Sequence, residues 1–225
     1  AENRFITAND TGHRGHRMGL RKSNTPDPLR EVVDRGFPRH VDGLVAQLRG
    51  GDAEQRRWAV RDLTGHPQAA AALGAQLLVE RDAAVREAIF LALGTMASDE
   101  AVSALLPLLR SEDARLRNGA IEVLSGLPKV VGPRISALLL DADVDVRIFT
   151  VNLLGELRHE QVTQWLQQVL LSDREVNVVA AAIEVMAETG QPEHIDALRE
   201  TRRRFADDPF IGFAADVAIE RIRAS

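Results

Sequence analysis

The chain has 225 residues, a formal net charge of -5, 45% hydrophobic residues but only 4% aromatic ones, and no cysteine. Disulfides, thiolate metal sites and a cysteine nucleophile are therefore excluded for this chain, and no apolar run reaches the roughly 18 residues a membrane-spanning helix needs. A core so poor in aromatics must be built from Leu, Val, Ile and Ala, which is helix-on-helix material, and an acidic balance makes a poor generic ligand for phosphate backbones.

The charge is unevenly placed. Residues 1–39 hold eight Lys or Arg against five Asp or Glu, leaving 20 against 28 in the remainder. Residues 1–25 read as a basic, polar arm containing GHRGHRMGLRK from Gly12 to Lys22. Its glycines and lack of an apolar period predict no regular element. His13 and His16 would meet only on a helix, which those glycines oppose, so no metal site is expected there. The first residues lack the charged-then-apolar layout of a secretory signal, and cytoplasm is the default location. Residues 26–38 read as a capping helix: Asp27-Pro28 places proline in the first turn, Leu29, Val32 and Val33 follow, and Gly36-Phe37-Pro38 ends it. A stacked array needs such a cap over its terminal apolar face.

Residues 39–225 then alternate helix and short link. First helices are predicted over about 40–49, 68–80, 99–110, 130–140, 160–171 and 193–205, and second helices over about 53–64, 83–96, 114–127, 144–157, 174–189 and 209–223. Pro107 falls within a predicted helix and should bend or break it. Glu220, Arg221 and Arg223 read as the polar outer face of the final helix.

The second helices repeat one pattern, clearest in DAAVREAIFLALG from Asp82 to Gly94. An Asp is followed by an apolar-Arg pair, two small or apolar residues, and an apolar-small pair. Asp52 and Arg56, Asp82 and Arg86, Asp113 and Arg117, and Asp143 and Arg147 head four copies, and the arginines step by 30, 31 and 30 residues. Two later copies, headed by Glu175 and Asp208, keep the apolar positions and lose the arginine. Asp suits a helix N-cap, and Asp82 with Arg86 has the order favoured for an i,i+4 pair. Val85, Ala88, Ile89, Ala92 and Leu93 form a helical core stripe. Trp58 sits in a core position, as does Trp165 among Val162, Leu166 and Val169. Self-similarity at such a period marks stacked supersecondary units that cannot bury their apolar faces alone.

With these residues the chain, from about Phe37 onward, resembles the HEAT repeats, in particular the HEAT-like repeats of the phycobilisome lyase type. The resemblance implies an all-α, right-handed α-solenoid of about six antiparallel helix pairs, with second helices lining the concave face and the Asp and Arg positions forming a ladder between repeats. The family includes adaptors, chromophore lyases and metal-dependent hydroxylases, so fold does not give function.

Function is expected on the outward positions of the second helices, one and five residues after the arginine and one turn beyond. These read Arg57 and Arg61, Glu87 and Leu91, Asn118 and Glu122, Ile148 and Asn152, Glu156, Glu184 and Glu188. The row passes from basic through mixed to acidic. It predicts a groove for another protein or peptide, with Leu91 and Ile148 as exposed apolar anchors and the charges fixing orientation. No catalytic, cofactor-binding or metal-binding residue is assigned. His159-Glu160 is the only His-Glu pair, whereas the family's hydroxylases carry several, and His40, His66 and His194 lie in different units. A chromophore lyase is the alternative the resemblance leaves open. A nucleic-acid-binding surface is disfavoured, because the row turns acidic and Arg202-Arg203-Arg204 reads as a solvated outer face. The sequence specifies no oligomeric state.

Overall fold

The computed structural model describes residues 36–224. The predicted arm and residues 26–35 of the predicted cap lie outside them; Gly36 and Phe37, then Arg39 and His40, form bends leading to the first helix.

Among the described residues there are twelve α-helices and no strand. They form six antiparallel pairs: α1 (Val41–Gly50) with α2 (Ala53–Leu63), α3 (Ala70–Val79) with α4 (Ala83–Met96), α5 (Asp99–Leu105) with α6 (Ala114–Ser125), α7 (Pro128–Leu138) with α8 (Val144–Glu156), α9 (Val162–Ser172) with α10 (Val176–Thr189), and α11 (Ile195–Arg204) with α12 (Pro209–Ala224). The second helices pack in sequence, α2 on α4 through to α12, as one layer. The first helices form the other layer, loosest between α7 and α9. The chain is an α-solenoid. No helix of the described residues is long and apolar enough to cross a membrane.

The repeated aspartates start the second helices as expected. Asp52 accepts the Gln55 N–H while the Gln55 side chain accepts the Asp52 N–H, a complete capping box. Asp82, Asp113, Asp143 and Asp208 likewise accept amides of the first turn. Each removes an orphan donor that would otherwise cost about 1 kcal/mol. Glu175 departs from the pattern: its side chain makes no cap, and its own N–H goes to Asp173.

The core stripe is buried where the period puts it. Val85, Ile89, Ala92 and Leu93 of α4 are covered, as are Leu116, Ala120, Ile121 and Leu124 of α6. Trp165 is buried and stacks on His159, with ring centroids 4.8 Å apart. Trp58 is only half-buried, so its position is the edge of the core.

Prolines and turns account for the boundary differences. Without an N–H, Pro107 cannot continue the ladder of i to i-4 bonds, and α5 gives way at Leu105 to a 3-10 segment, Leu106–Arg110. Helix α7 starts at Pro128, two residues earlier than predicted, because proline suits a first helical position, and it accommodates Pro133 without stopping. Helix α9 starts at Val162, since His159 Nδ1 accepts the Gln161 N–H and closes a turn there.

Replacing Leu124, fully buried in α6, with arginine removes a core side chain and buries an unpaired charge, a loss of about 3–5 kcal/mol. Leu124→Arg is expected to lose its cooperative thermal transition by circular dichroism; a native-like melt would refute the helical register.

Candidate functional site

The arginine of the first four repeats faces two ways. One arm caps the first helix of its own pair: Arg56 Nη1 donates to the Gly51 carbonyl at 2.8 Å, Arg86 Nε to Glu80 at 2.7 Å, Arg117 Nη1 to Ser111 at 2.7 Å and Arg147 Nη1 to Asp141 at 2.8 Å. Carbonyls at a helix C-terminus lack intrahelical partners, and a cation there also meets the negative end of the dipole. The other arm reaches the next repeat. Arg56 grips Glu80 through two 2.8 Å bonds, Arg86 reaches Asp113 at 3.3 Å, and Arg147 takes Asp173 at 2.8 and 3.3 Å.

The ladder implied by the repeats therefore exists, with corrections. Asp82 is not the partner of Arg86, which is held instead by the Glu80 carbonyl and Asp113. Only that rung joins an arginine to a capping Asp; Glu80 and Asp173 lie two residues before the cap position. Sequence reasoning missed this acid, although Glu80, Asp141 and Asp173 recur at one place in the repeat. Where it is Ser111, the cap Asp113 substitutes.

Arg117 breaks the series. The acid of its rung, Asp141, is taken by Arg110 and by the Asp143 amide. Arg117 lies instead over the Phe149 ring, 4.3 Å from its centroid, and its buried Nε has no hydrogen-bond partner. The fifth repeat has Val179 at this position, and Arg204 of α11 supplies the missing donors from outside, bonding the carbonyls of Leu170 and Asp173. Arg204 is thus structural rather than part of a solvated face; Arg202 and Arg203 stay exposed, paired with Asp216 and Glu200.

Glu80 is the most committed of these groups. It is 3% exposed, and its carboxylate receives Arg56, Gln76 and the amides of Arg81 and Asp82. Burial pushes its pKa up, but the bonds from Arg56, the Asp82 amide and Gln76 override that and bring it down from 4.5 to about 2. Asp141 is lowered too, chiefly by the Asp143 amide, with Arg110 adding to it against burial.

The predicted row lies on the outward side of the second helices. Arg57, Arg61, Glu87, Leu91, Asn118, Glu122, Asn152, Glu156, Glu184 and Glu188 are exposed, Leu91 at 72%. Ile148 is not an exposed anchor: it is half-buried and folds against the core. About two turns further along α8, a Cβ built at Gly155 would lie in ordinary contact with Val185 of α10, 3.4 Å away. Two contacts tie the row across helices, from Ser125 Oγ to Glu156 at 3.5 Å and between Arg221 and Glu188 at 3.7 Å. The last helix extends it: Phe213 and Val217 of α12 take the corresponding positions and are 69% and 49% exposed. The weak final copy concealed them in the sequence.

Between α4 and α6 the layer opens into a cleft of about 910 Å³, lined by Leu91, Thr95 and Val123, with Glu87 and Glu122 on its walls and Arg81 and Arg115 at one end. Phe90 forms part of its wall. Its ring presses on Gly119, where a Cβ would come within 2.6 Å. No other residue fits there without pushing the ring aside.

Three of the described histidines serve the backbone. Nδ1 of His40, His159 and His194 each accepts a main-chain N–H, from Gly43, Gln161 and Gln191. Among the described residues no group of three or more His, Cys, Asp or Glu is arranged to hold a metal.

Because the folded pKa of Glu80 lies below its unfolded value, its contribution is complete above about pH 4.5 and is lost as pH falls towards 2. That contribution is on the order of 3 kcal/mol. Glu80→Gln is expected to lower stability at pH 7 by up to that amount and to flatten the decline between pH 4.5 and 2, read by denaturant melts at each pH. Equal slopes for both proteins would remove Glu80 from this role.

A family model for HEAT repeats matches residues 41–125 and 132–211. The interruption falls at the start of α7. No curated protein matches the chain. Among solved structures, an engineered protein shares 20% identity over 82% of this chain and 96% of its own, with a TM-score of 0.39. A designed armadillo repeat protein shares 18% over 81% of this chain and 100% of its own, with a TM-score of 0.38. Six helix pairs, five of them with an aspartate capping the second helix and four with the ladder arginine, matched by that family model across most of their length, make this chain a member of the HEAT repeat family.

Proposed function

We propose that the chain is a non-catalytic protein-binding scaffold whose second-helix face holds a segment of another protein. The observation that carries this is the division of labour between the faces of those helices. The apolar positions are spent on neighbours and the arginines on the ladder. The outward row is exposed across six helices and carries an apolar side chain, Leu91, beside an open cleft. An exposed leucine in a recess is the kind of feature that anchors a partner, and graded charge sets its direction.

A kinship with the lyase-type HEAT repeats is part of this proposal at the level of repeat geometry, supported by the spacing of 30 or 31 residues between arginines. The acidic stretch formed by Glu122, Glu156, Glu184 and Glu188 favours a protein over a nucleic acid, whose phosphates it would repel.

Reversing Arg57, Arg61, Glu122 and Glu184 together should change stability little, by about 0.5 kcal/mol or less for each surface site, while abolishing partner capture. A photoreactive side chain at position 91 should cross-link to a partner in the native cell, and one at Ser136 on α7 should not. Unchanged capture by the charge-reversed protein, or equal cross-linking at both positions, would overturn the proposal.

A further inference from the structure

We infer that the occupant of the second-helix face is a basic segment in an extended, left-handed polyproline-type conformation, with Lys or Arg at every third residue and an apolar side chain at each end. The inference deepens the scaffold reading and rests on it.

Its first support is charge. On the two outermost levels of the row, five and nine residues after the arginine position, Glu122, Glu156, Glu184 and Glu188 stand exposed on α6, α8 and α10. Between Arg61 on α2 and Arg221 on α12 these levels hold no cation. Helices α6, α8 and α10 pack in order, so Glu122, Glu156 and Glu184 follow one another along the face as a band, while Glu188 is offset by Arg221 at 3.7 Å. Arg115 sits seven residues before Glu122. That separation is about 10 Å along a helix, comparable with the Debye length in physiological salt, so it does little to neutralise the band.

The second is the placement of apolar groups. Leu91 lies at one end of the band, over the α4–α6 cleft, and Val217 and Phe213 lie at the other on α12. A single segment crossing from α4 to α12 would meet an apolar site, the carboxylates, and an apolar site again.

The third is period. Packed helices stand about 8–10 Å apart. A polyproline helix turns once in three residues of about 3.1 Å each, advancing roughly 9.3 Å and presenting the same face at each step. An α-helix needs about six residues for that advance and turns roughly 1.7 times, carrying the next side chain off the face. In a β-strand three residues put the next side chain on the opposite side. Four helix steps from α4 to α12 make roughly 32–40 Å, and thirteen polyproline residues span about 37 Å.

The probe is a labelled thirteen-residue peptide with Leu at its ends and Lys at its fourth, seventh and tenth positions, titrated against the full chain by fluorescence anisotropy. Two isomers of equal composition control for charge, one with the lysines contiguous and one with them at helical spacing. The period-three peptide should bind at least tenfold more tightly than either isomer. Replacing its terminal leucines with serine should weaken it about fivefold. Glu122→Lys, Glu156→Lys and Glu184→Lys combined should weaken it at least tenfold, whereas Asp196→Lys on α11 should not. Equal or tighter binding of an isomer, still sensitive to the triple reversal, overturns the extended period-three occupant and leaves the scaffold reading in place. Binding of none of the peptides, or binding indifferent to the triple reversal, also overturns it. The scaffold reading then stands or falls separately on the cross-link at position 91.

Discussion

The solenoid depends on one side chain used twice. Each arginine of the ladder closes the C-terminal carbonyls of the helix before it and reaches into the repeat after it, so a single guanidinium finishes one unit and fixes the next. Only arginine offers this, because its donors are spread over a rigid fork and remain charged when partly buried. The Arg56–Glu80 pair illustrates the requirement for full satisfaction: a nearly buried carboxylate with fewer partners would cost more in desolvation than the ion pair returns. Here Arg56, Gln76 and two amides meet it. In a repeat array stability is roughly a sum of unit and neighbour terms, and the arginine contributes to both.

The geometry is kept even where the residue is lost. Val179 replaces arginine in the fifth repeat, and Arg204, from the first helix of the following pair, takes over the carbonyls of Leu170 and Asp173. What is preserved is a cation at the end of α9, not its place in the chain. The third repeat solves the problem less completely. Arg110, on the 3-10 segment imposed by Pro107, occupies Asp141, and Arg117 falls back on the face of Phe149. Thin ladder and thin outer packing coincide around α7, which carries an internal proline and stands away from α9. His159 fills part of that space, with its Nε2 against Gly132 and its ring on Trp165.

Local rules were legible in the sequence because they are set by residues close together in it. The helical stripe of α4, the aspartate caps and the proline break depend on spacings of a few residues, and each appears within a residue or two of its expected place. The ladder was legible as a repeat but not as a set of partners, because the choice between Glu80 and Asp82 for Arg56 depends on where the link turns. The outward row followed from the same register, and most of it is exposed as expected. Its failures are tertiary. Ile148 packs half-buried against the core, whereas Leu91 stands exposed beside the cleft between α4 and α6, where Phe90 lies against Gly119. Phe213 and Val217 escaped notice because the last copy had lost the arginine from which the row is counted.

The same arrangement explains how such a frame carries specificity without endangering itself. The ladder occupies the edge where first helices end and second helices begin; the row lies along the outward side of the second helices, reached only at positions the core and the ladder do not use. A substitution at Glu122 or Glu184 therefore removes no buried contact and no rung, while changing the potential met by anything approaching the face. Phe90 and Gly119 are the exception, since their contact joins α4 to α6 and also lines the cleft between them. Partner choice can drift across the exposed row, but the recess that seats an apolar anchor is tied to the packing, and so is the least free part of the surface to change.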